Sequence, residues 1–294
     1  MVRRKLFQIK LPTRRLALGN RTLVMGVLNV TPDSFSDGGL FLDPGAAAGR
    51  ALQIEKDGAD ILDIGGESTR PGSEPVPTAE QLRRILPVLE KLRGKLKIPV
   101  SIDTSSAEVA EAAAKAGAEI LNDVTALRGD PRLAEVARRR KLALVLMHMH
   151  GEPRTMQKKP FARDVMRDVT SGLRRSVAAA TRAGIARGKI ILDPGIGFGK
   201  TYAQDYELIA RLSEFARLGF PLLVGTSRKK FIGRVLDGRP PAERVFGTAA
   251  TVAACILNGA HIVRVHDVGE MARVARVTDA VLSPRSVAKI PTPA

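Results

Sequence analysis

The chain is poor in cysteine and aromatic residues and has no long hydrophobic run. Cys255 is the single cysteine, so no disulfide bridge can form within the chain, and a reducing cytoplasm is the expected setting. Tryptophan is absent and aromatic residues make up 4 % of the 294 residues, which leaves few surfaces for stacking of nucleic-acid bases. No segment approaches the roughly 20 apolar residues of a membrane-spanning helix. Disulfide-stapled and membrane-spanning classes are therefore excluded, and we expect no specific nucleic-acid partner and no membrane partner.

Acidic residues are the minority. The 47 lysines and arginines outnumber 30 aspartates and glutamates, for a net charge of +17. Basic runs such as Arg138–Lys141 fall in helical patterns, where solvated helix faces account for them; attraction of an anionic substrate and non-specific binding of a polyanion are the alternatives. The basic N-terminus lacks the continuous apolar stretch of a secretory signal.

Eight short apolar runs alternate with longer helical patterns. The runs are Leu23–Leu28, Ile61–Ile64, Ile98–Ile102, Glu119–Leu121, Leu142–Met147, Ile190–Leu192, Pro221–Val224 and Ile262–Val265. The helical patterns are about Pro44–Asp57, Thr78–Arg93, Ala107–Ala116, Pro131–Arg140, Arg163–Ala183, Gln204–Leu212, Ala242–Leu257 and Val268–Leu282. Strands that alternate with helices indicate a parallel sheet, and eight such units predict an α/β fold of the (β/α)₈ TIM-barrel type; a doubly wound open sheet is the alternative.

The barrel fills most of the chain as a single domain. We predict an N-terminal extension at residues 1–20, with a short hairpin under the barrel around Gly19, then the barrel at residues 21–285 and a C-terminal tail at residues 286–294. The apolar segment Val245–Leu257 is interpreted as a helix that faces the barrel, with a dimer contact as the alternative.

Capping residues and glycines support the predicted helix boundaries. Asp43 before Pro44 predicts an N-cap with proline in the first turn, and Thr78 with Gln81 has the spacing of a capping box. Four glycines that follow helices are predicted to take left-handed conformations: Gly58, Gly94, Gly117 and Gly184.

Each predicted strand ends in a polar group. The strand-end segments are Asn29–Gly39, Asp63–Gly72, Asp103–Thr104, Asn122–Asp123, Met147–His150, Asp193–Gly195, Gly225–Lys229 and Arg264–Asp267. Capping of the next helix would explain any single one of them. Eight in succession, with long glycine-rich loops, favour an active site at the carboxyl face of the barrel.

The segment Leu192–Thr201, LDPGIGFGKT, resembles a phosphate-binding P-loop but fails its pattern. Pro194 stands where the first glycine should be, and proline has no N–H to donate to a phosphate. We interpret Asp193 as a ligand-binding group, and the three glycines after it as a loop that approaches a flat ligand closely. Lys200 and Thr201 are interpreted as an incidental helix start.

The strand-end residue types suit a flat ligand that is rich in N–H and carbonyl groups. Carboxylates and amides from Asp103, Asn122 and Asp193 would accept from an amino-pyrimidinone, and Lys229 would donate to its carbonyl or ring nitrogen. Positive groups suit a phosphate; they are Arg70, Arg264 and His266. His148 and His150 are interpreted as hydrogen-bonded strand-end residues, because no third ligand completes a zinc site.

Eight ordered motifs resemble those of the dihydropteroate synthases. They are NVTPDSFSDGG, DIGGESTRPG, SIDTS, LNDV, MHMHGEPRTMQ, LDPGIGFGK, GTSRKKFIG and RVHDV, and they span about residues 22–282. The resemblance implies a transferase in which para-aminobenzoate displaces pyrophosphate from a dihydropterin-methyl diphosphate to give 7,8-dihydropteroate. It also implies a (β/α)₈ barrel, a homodimer, a Mg²⁺ cofactor, an S_N1-like path and a sulfonamide-sensitive pocket.

The resemblance assigns roles to individual residues. The pterin would be held by Asp103, Asn122, Asp193 and Lys229, with Met147 and Phe198 packed on its ring and Ser227 beside it. Asn29 would bind Mg²⁺ and the diphosphate. The leaving pyrophosphate would be held by Arg70, Arg264 and His266. The aminobenzoate pocket would be shaped by Phe35, Thr69 and Pro71. The predicted catalytic residues are Asn29, Lys229, Arg264 and His266.

Two alternatives stay open. A pterin-dependent methyltransferase uses a similar barrel, although it would not need the Thr-Arg-Pro-Gly and Arg-Val-His segments for pyrophosphate. A non-enzymatic basic binding protein is the other. One residue departs from the family pattern: many members carry a small hydroxyl residue where this chain has Lys230.

Overall fold

The computed structural model describes residues 3–31, 43–68, 74–151, 156 and 162–284. Two N-terminal strands precede eight that build the barrel. The strands are β1 Phe7–Lys10, β2 Arg15–Leu18, β3 Leu23–Asn29, β4 Ile61–Gly65, β5 Val100–Asp103, β6 Ile120–Asp123, β7 Ala143–Met147, β8 Ile190–Asp193, β9 Leu223–Val224 and β10 Ile262–Val265. The helices are α1 Pro44–Lys56, α2 Thr78–Leu92, α3 Ala107–Lys115, α4 Arg132–Arg139, α5 Val165–Arg182, α6 Tyr202–Ala210, α7 Lys230–Val235, α8 Val245–Leu257 and α9 Val268–Leu282.

The eight barrel strands are all parallel and run β8-β7-β6-β5-β4-β3-β10-β9 around the sheet. Leu192 of β8 then bridges to Leu222, just before β9, and brings the two edges of the sheet together. The predicted TIM barrel is confirmed, and the open sheet is wrong.

The seventh barrel strand is shorter than predicted. The sequence pattern places it at Pro221–Val224, whereas β9 covers only two residues. Pro221 has no N–H for a strand ladder. The N–H of Leu222 donates to His261 Nδ1 at 3.2 Å instead of to a strand carbonyl.

Side chains alternate between two cores. On β3, Leu23 and Met25 point into the barrel, whereas Val24 and Leu28 face the surrounding helices. The barrel interior is closed from below by the β1–β2 hairpin, whose Ile9, Leu11, Leu16 and Leu18 pack among inward-facing strand residues. The hairpin lies where the extension was predicted, but its turn is at residues 11–14 and not around Gly19. The domain boundaries stay predictions.

Most of the predicted helix caps and C-terminal glycines are confirmed. Asp43 caps α1 through the N–H groups of Gly45 and Ala46, and the four glycines after helices all have positive φ angles. The capping box at Thr78 is wrong. Pro77 precedes α2 without a side-chain cap, and Gln81 instead donates to Glu67 and to the carbonyl of Val76.

Helix α7 was not predicted, because six residues that include Gly233 are too few for a helical periodicity. In helix α8, residues such as Val252 and Cys255 are buried toward the barrel, as predicted, but Phe246 is 85 % exposed.

In the described part of the chain, no helix has the length and apolar character needed to cross a membrane.

Candidate active site

A cavity of about 480 Å³ opens at the carboxyl ends of the barrel strands. It is lined by ten of the residues predicted from the sequence: Asn29, Asp103, Asn122, Met147, Asp193, Phe198, Ser227, Lys229, Arg264 and His266. The parallel topology brings together side chains that are up to 237 residues apart in sequence (266 − 29). The predictions for Phe35, Thr69, Arg70 and Pro71 lie outside the described residues.

Asp103, which lines the cavity, and the fully buried Asp63 share one arginine. Arg264 Nε donates to Asp63 Oδ2 at 2.7 Å, and its Nη2 donates to Asp103 Oδ2 at 2.8 Å. Asn122 Nδ2 also donates to Asp63 Oδ2, at 3.1 Å. Asp63 is fully buried, and Oδ1 of Asp63 and Oδ1 of Asp103 have no hydrogen-bond partner within the described residues. The floor therefore offers a free acceptor beside a fixed positive charge.

Burial dominates the proton equilibria of these groups. It raises the pKa of Asp103 to about 7, against the opposing effect of Arg264. Burial alone would lower the pKa of Arg264, but Asp63 and Asp103 more than offset it, so the pKa of Arg264 is raised. A donor-rich ligand at Asp103 would favour its ionised form.

The loop after β8 is built on left-handed glycines. Gly195, Gly197 and Gly199 have φ angles of 66°, 84° and 66°. A Cβ on Gly195 would lie 1.9 Å from the carbonyl oxygen of His148, and one on Gly199 would lie 2.2 Å from that of His150. Asp193 Oδ1 accepts from Gly195 N at 2.7 Å. The glycines thus let this loop pass directly against the end of β7, as well as taking a conformation that other residues avoid.

Lys200 is not an incidental helix start. Its side chain is buried, and its Nζ donates to the carbonyls of Gly195 (2.8 Å), Phe198 (2.9 Å) and His148 (3.3 Å) and contacts His148 Nδ1 at 3.2 Å. Thr201 is the true helix start, with a capping box to Gln204. Lys200 thus holds together the loop Pro194–Gly199, called the glycine loop below, by hydrogen bonds to its carbonyls.

The two histidines after β7 lie beside Asp168 and do not line the cavity. Asp168 Oδ2 is 3.5 Å from His148 Nε2 and 3.3 Å from His150 Nδ1. Burial lowers the pKa of His148 to about 2, so its imidazole is neutral. No cluster of three His, Cys, Asp or Glu side chains suited to a metal ion occurs among the residues described.

Lys229 and Phe198 form one wall of the cavity. Lys229 Nζ lies 4.6 Å from the centroid of the Phe198 ring, and it donates to the carbonyl of Ile196. Burial lowers the pKa of Lys229 to about 8, and Asp193 and Asp205 oppose this shift. Met147 packs against Phe198 in an apolar layer with Val124, Met149 and Met156.

The loop after β9 is fastened to the loop after β10. Arg228, with a φ angle of 59°, pairs with Asp267 through two of its guanidinium nitrogens. Ser227 Oγ lies 3.0 Å from His266 Nδ1 and accepts from His266 N at 3.2 Å. These contacts place Ser227 and His266 side by side at the cavity rim.

Several residues in or next to the cavity were not predicted from the sequence. Asp63 stands in a quoted motif, but nothing local marks it as the partner of Arg264. Asp205 lies within α6, where an acidic residue is ordinary. The other missed lining residues include Ser68, Tyr202, Phe231, Pro241 and Arg244. Lys230, the departure from the family pattern, also lines the cavity and is exposed.

Comparisons with known proteins agree with this geometry. The profile of the family described as "Pterin binding enzyme" matches residues 25–266. A dihydropteroate synthase of Synechocystis is 49 % identical over 263 residues, which cover 90 % of this chain and 91 % of the relative. The crystal structure of the Yersinia pestis dihydropteroate synthase with a sulfonamide drug is 42 % identical with a TM-score of 0.88, over 95 % of this chain and 100 % of that one. The Xanthomonas albilineans dihydropteroate synthase with 4-aminobenzoic acid is 40 % identical with a TM-score of 0.87, over 98 % and 100 % of the chains.

Proposed function

We propose how the cavity of this chain, which belongs to the pterin-binding enzyme family, divides the dihydropteroate synthase reaction among named residues. The reaction joins para-aminobenzoate to the methylene carbon of a 7,8-dihydropterin-6-ylmethyl diphosphate, with release of pyrophosphate. The methyltransferase and the non-enzymatic binding protein receive no support from the relatives.

The observation that carries the pterin assignment is the floor of the cavity. Asp103 has a buried carboxylate oxygen without a partner in the described residues, and Asn122 and Asp193 line the same space. A buried acceptor without a donor costs about 1–3 kcal/mol. The amino and ring N–H groups of a pterin would supply the missing donors, and the Lys229 ammonium would donate to its carbonyl or ring nitrogen.

The ring faces would be covered by apolar groups. Met147 belongs to a buried apolar cluster against which the partly buried Phe198 packs, and both residues line the cavity. A flat heterocycle that enters between the acids and the glycine loop would therefore have its edge hydrogen-bonded and its face packed.

Departure of pyrophosphate is assigned to the cationic side of the cavity. Arg264 is held by two carboxylates, and its side chain keeps 21 % exposure. His266 and Ser227 form the adjacent rim. As the C–O bond breaks, negative charge grows on the leaving oxygen, and groups already fixed in place stabilise it without rearrangement. We assign Arg70 to the same role, stabilisation of the leaving pyrophosphate.

Asn29 fits the predicted Mg²⁺ role. It ends β3, lines the cavity and offers a neutral amide oxygen, and Mg²⁺ is commonly held by one or two protein oxygens together with substrate phosphates and water. When bound, the ion would neutralise charge on the diphosphate. Asn29 would orient the diphosphate toward Arg264 and His266.

The bond-forming step needs no strong base. The electron-rich dihydropterin stabilises positive charge on its methylene carbon, so an S_N1-like path is open, and the aniline nitrogen attacks as a neutral nucleophile. The C–O bond breaks first, and pyrophosphate leaves with its electron pair. The aniline nitrogen then forms the C–N bond to the methylene cation and gives up one proton to water. Phe35, Thr69 and Pro71 would shape the aminobenzoate pocket and exclude water from the cation.

The assembly and setting are proposed on separate grounds. Phe246 (85 %) and Val235 (66 %) leave large apolar side chains exposed on α8 and α7, which suits a homodimer contact. A cytoplasmic setting agrees with a single, buried cysteine. A sulfonamide should compete with para-aminobenzoate, as the Yersinia pestis complex leads one to expect.

Pyrophosphate release tests the proposed reaction. The protein is incubated with the pterin diphosphate, with and without para-aminobenzoate and with Mg²⁺ varied. Release that requires both additions and yields dihydropteroate is the expected result. Tight pterin binding with no release would keep the pocket and overturn the reaction; release without Mg²⁺ would overturn only the role given to Asn29.

A further inference from the structure

Helix α6 places a buried carboxylate in the cavity lining, and this carboxylate has no assigned role in the proposed reaction. Asp205 is 1 % exposed and lines the cavity beside Lys229. The capping box between Thr201 and Gln204 fixes the first turn of α6 and thereby the position of Asp205. Its Oδ1 accepts from the N–H of Gly197 at 2.6 Å.

Gly197 connects Asp205 with Lys229. A Cβ on Gly197 would lie 2.9 Å from Lys229 Cδ, so the lysine stem passes directly over this glycine. Lys229 Nζ donates to the carbonyl of Ile196, the residue before Gly197, and lies against the ring of Phe198, the residue after it. The hydrogen bond from Gly197 to Asp205 therefore fixes the backbone on which the lysine rests.

Charged and titratable groups reach Lys229 from four elements. They are Asp193 at the end of β8, Asp205 on α6, Arg264 on β10 and the Cys255 thiol on α8. Lys200, on the loop between β8 and α6, is a further positive group that interacts with Lys229, and Asp205 raises the pKa of Lys200 as well. Asp205 in turn is faced by Lys229 and Lys200, with Tyr206 next to it in the helix. Burial lowers the pKa of Lys229 to about 8, and Asp193 and Asp205 are the two anions that oppose it. Burial raises the pKa of Asp205 to about 6, so this carboxylate is ionised above neutral pH.

We propose that Asp205 is a positioning residue for Lys229: it holds Gly197 beneath the lysine stem and places a carboxylate in the lining of the same cavity as the lysine. The inference rests on the proposed role of Lys229 in pterin binding. The hydrogen bond to Gly197 would act at every pH, whereas the charge would act only where Lys229 is close to losing its proton.

Asp205→Asn separates these two effects. Asparagine keeps an oxygen acceptor for Gly197 and nearly the same shape, but it removes the charge. Loss of an anion lowers the pKa of Lys229 further, so we expect the alkaline limb of kcat/KM for the pterin diphosphate to move to lower pH by about one unit. At pH 6.5, KM should stay within about twofold of wild type, whereas at pH 8.5 it should rise about tenfold, with kcat little changed.

Glu207→Gln is the matched control. It lies on the same helix, pairs with Arg211 at the surface and removes the same formal charge. A shift of the limb in Asp205→Asn that is absent in Glu207→Gln would support the proposal. Equal limbs in the two variants, or a KM raised equally at all pH values, would overturn it. Asp205→Ser is a second neutral variant, judged by the same criterion if the asparagine variant does not fold.

Calorimetric binding of 6-hydroxymethylpterin, measured at pH 6.5 and 8.5, makes the test independent of turnover. Wild-type protein that binds this pterin but releases no pyrophosphate would contradict the proposed reaction and leave the pH comparison valid. Wild-type protein that turns over normally, with binding in Asp205→Asn unchanged at pH 8.5, would contradict the role of Asp205 alone.

Discussion

The two acids that pair with Arg264 differ in what compensates their burial. Asp63 accepts from Asn122 and Arg264, whereas Asp103 depends on Arg264 alone among the described residues. A buried carboxylate is tolerated only with partners, and removing one partner of such a pair is strongly destabilising. Asp63 therefore serves the folded barrel as well as the site, and the unpartnered oxygen of Asp103 points to a ligand.

Removal of either predicted pterin partner should abolish most of the activity. In Asp193→Ala or Lys229→Ala, one charge-assisted hydrogen bond to the pterin is lost, and the other group loses one of the opposite charges that compensate its burial. We expect kcat/KM for the pterin diphosphate to fall about a hundredfold or more, because such losses amount to about 3 kcal/mol.

Lys115→Ala, an exposed lysine on α3, is the control for loss of positive charge. Its steady-state kinetics should match those of wild type. Near-normal turnover in both Asp193→Ala and Lys229→Ala would refute the assignment of this pocket to the pterin.

Among the larger elements, the glycine loop between β8 and α6 has the most direct effect on the cavity. Three buried side chains bind its backbone groups. Lys200 donates to the carbonyls of Gly195 and Phe198, and Lys229 donates to the carbonyl of Ile196. Asp205 accepts from the N–H of Gly197. Glycines alone would leave this segment conformationally free. The buried side chains convert it into a fixed wall.

Lys200→Met should loosen this wall. Methionine has a similar length but no donors, so three carbonyls lose their hydrogen bonds. Pterin binding should weaken by about tenfold or more and the unfolding temperature should fall by several degrees, measured by calorimetry and thermal denaturation.

Lys189→Met is the matched control, because Lys189 also donates to two backbone carbonyls, those of Lys10 and Lys141, at the opposite end of the barrel. It should affect thermal stability and leave pterin affinity unchanged. Equal affinity losses in the two variants would show that the effect of Lys200 is general destabilisation.

At the scale of the whole molecule, one end of the barrel is closed by packed residues and the other end carries the binding cavity. The lower end is sealed by the β1–β2 hairpin, and His261 ties it in place: its Nδ1 accepts from Leu222 N, and its ring contacts the Lys5 carbonyl and Phe7. The upper end is left open and polar. Stability and binding are therefore separated along the barrel axis.

The proposed homodimer depends on the exposed apolar residues of α7 and α8. Phe246→Glu would place a charge in a desolvated contact, so sedimentation should change from a dimer to a monomer with little loss of unfolding temperature. Leu6→Glu, which alters a similarly exposed apolar residue at the lower end, should remain a dimer. An unchanged mass for Phe246→Glu would place the contact elsewhere.

Much of the barrel was determined by the sequence alone. Strand and helix positions follow from local periodicity, caps and glycines, and these depend on residues close together in the chain. The strand-end residues that line the cavity were also predictable, because parallel strands direct all their carboxyl ends to one face. The family motifs added the reaction, which no local pattern implies.

The tertiary structure decided what each of those groups faces. Asp63 and Arg264 are 201 residues apart, and Asp205 and Lys200 look from the sequence like an ordinary helix residue and a helix start. Two wrong predictions have the same origin. Glu67 binds the Gln81 side chain that the predicted capping box needed, and His261 accepts from the Leu222 N–H that a longer β9 would have used. Hydrogen bonds and charge compensation in a buried site depend on distance in space, and only the closed barrel sets those distances.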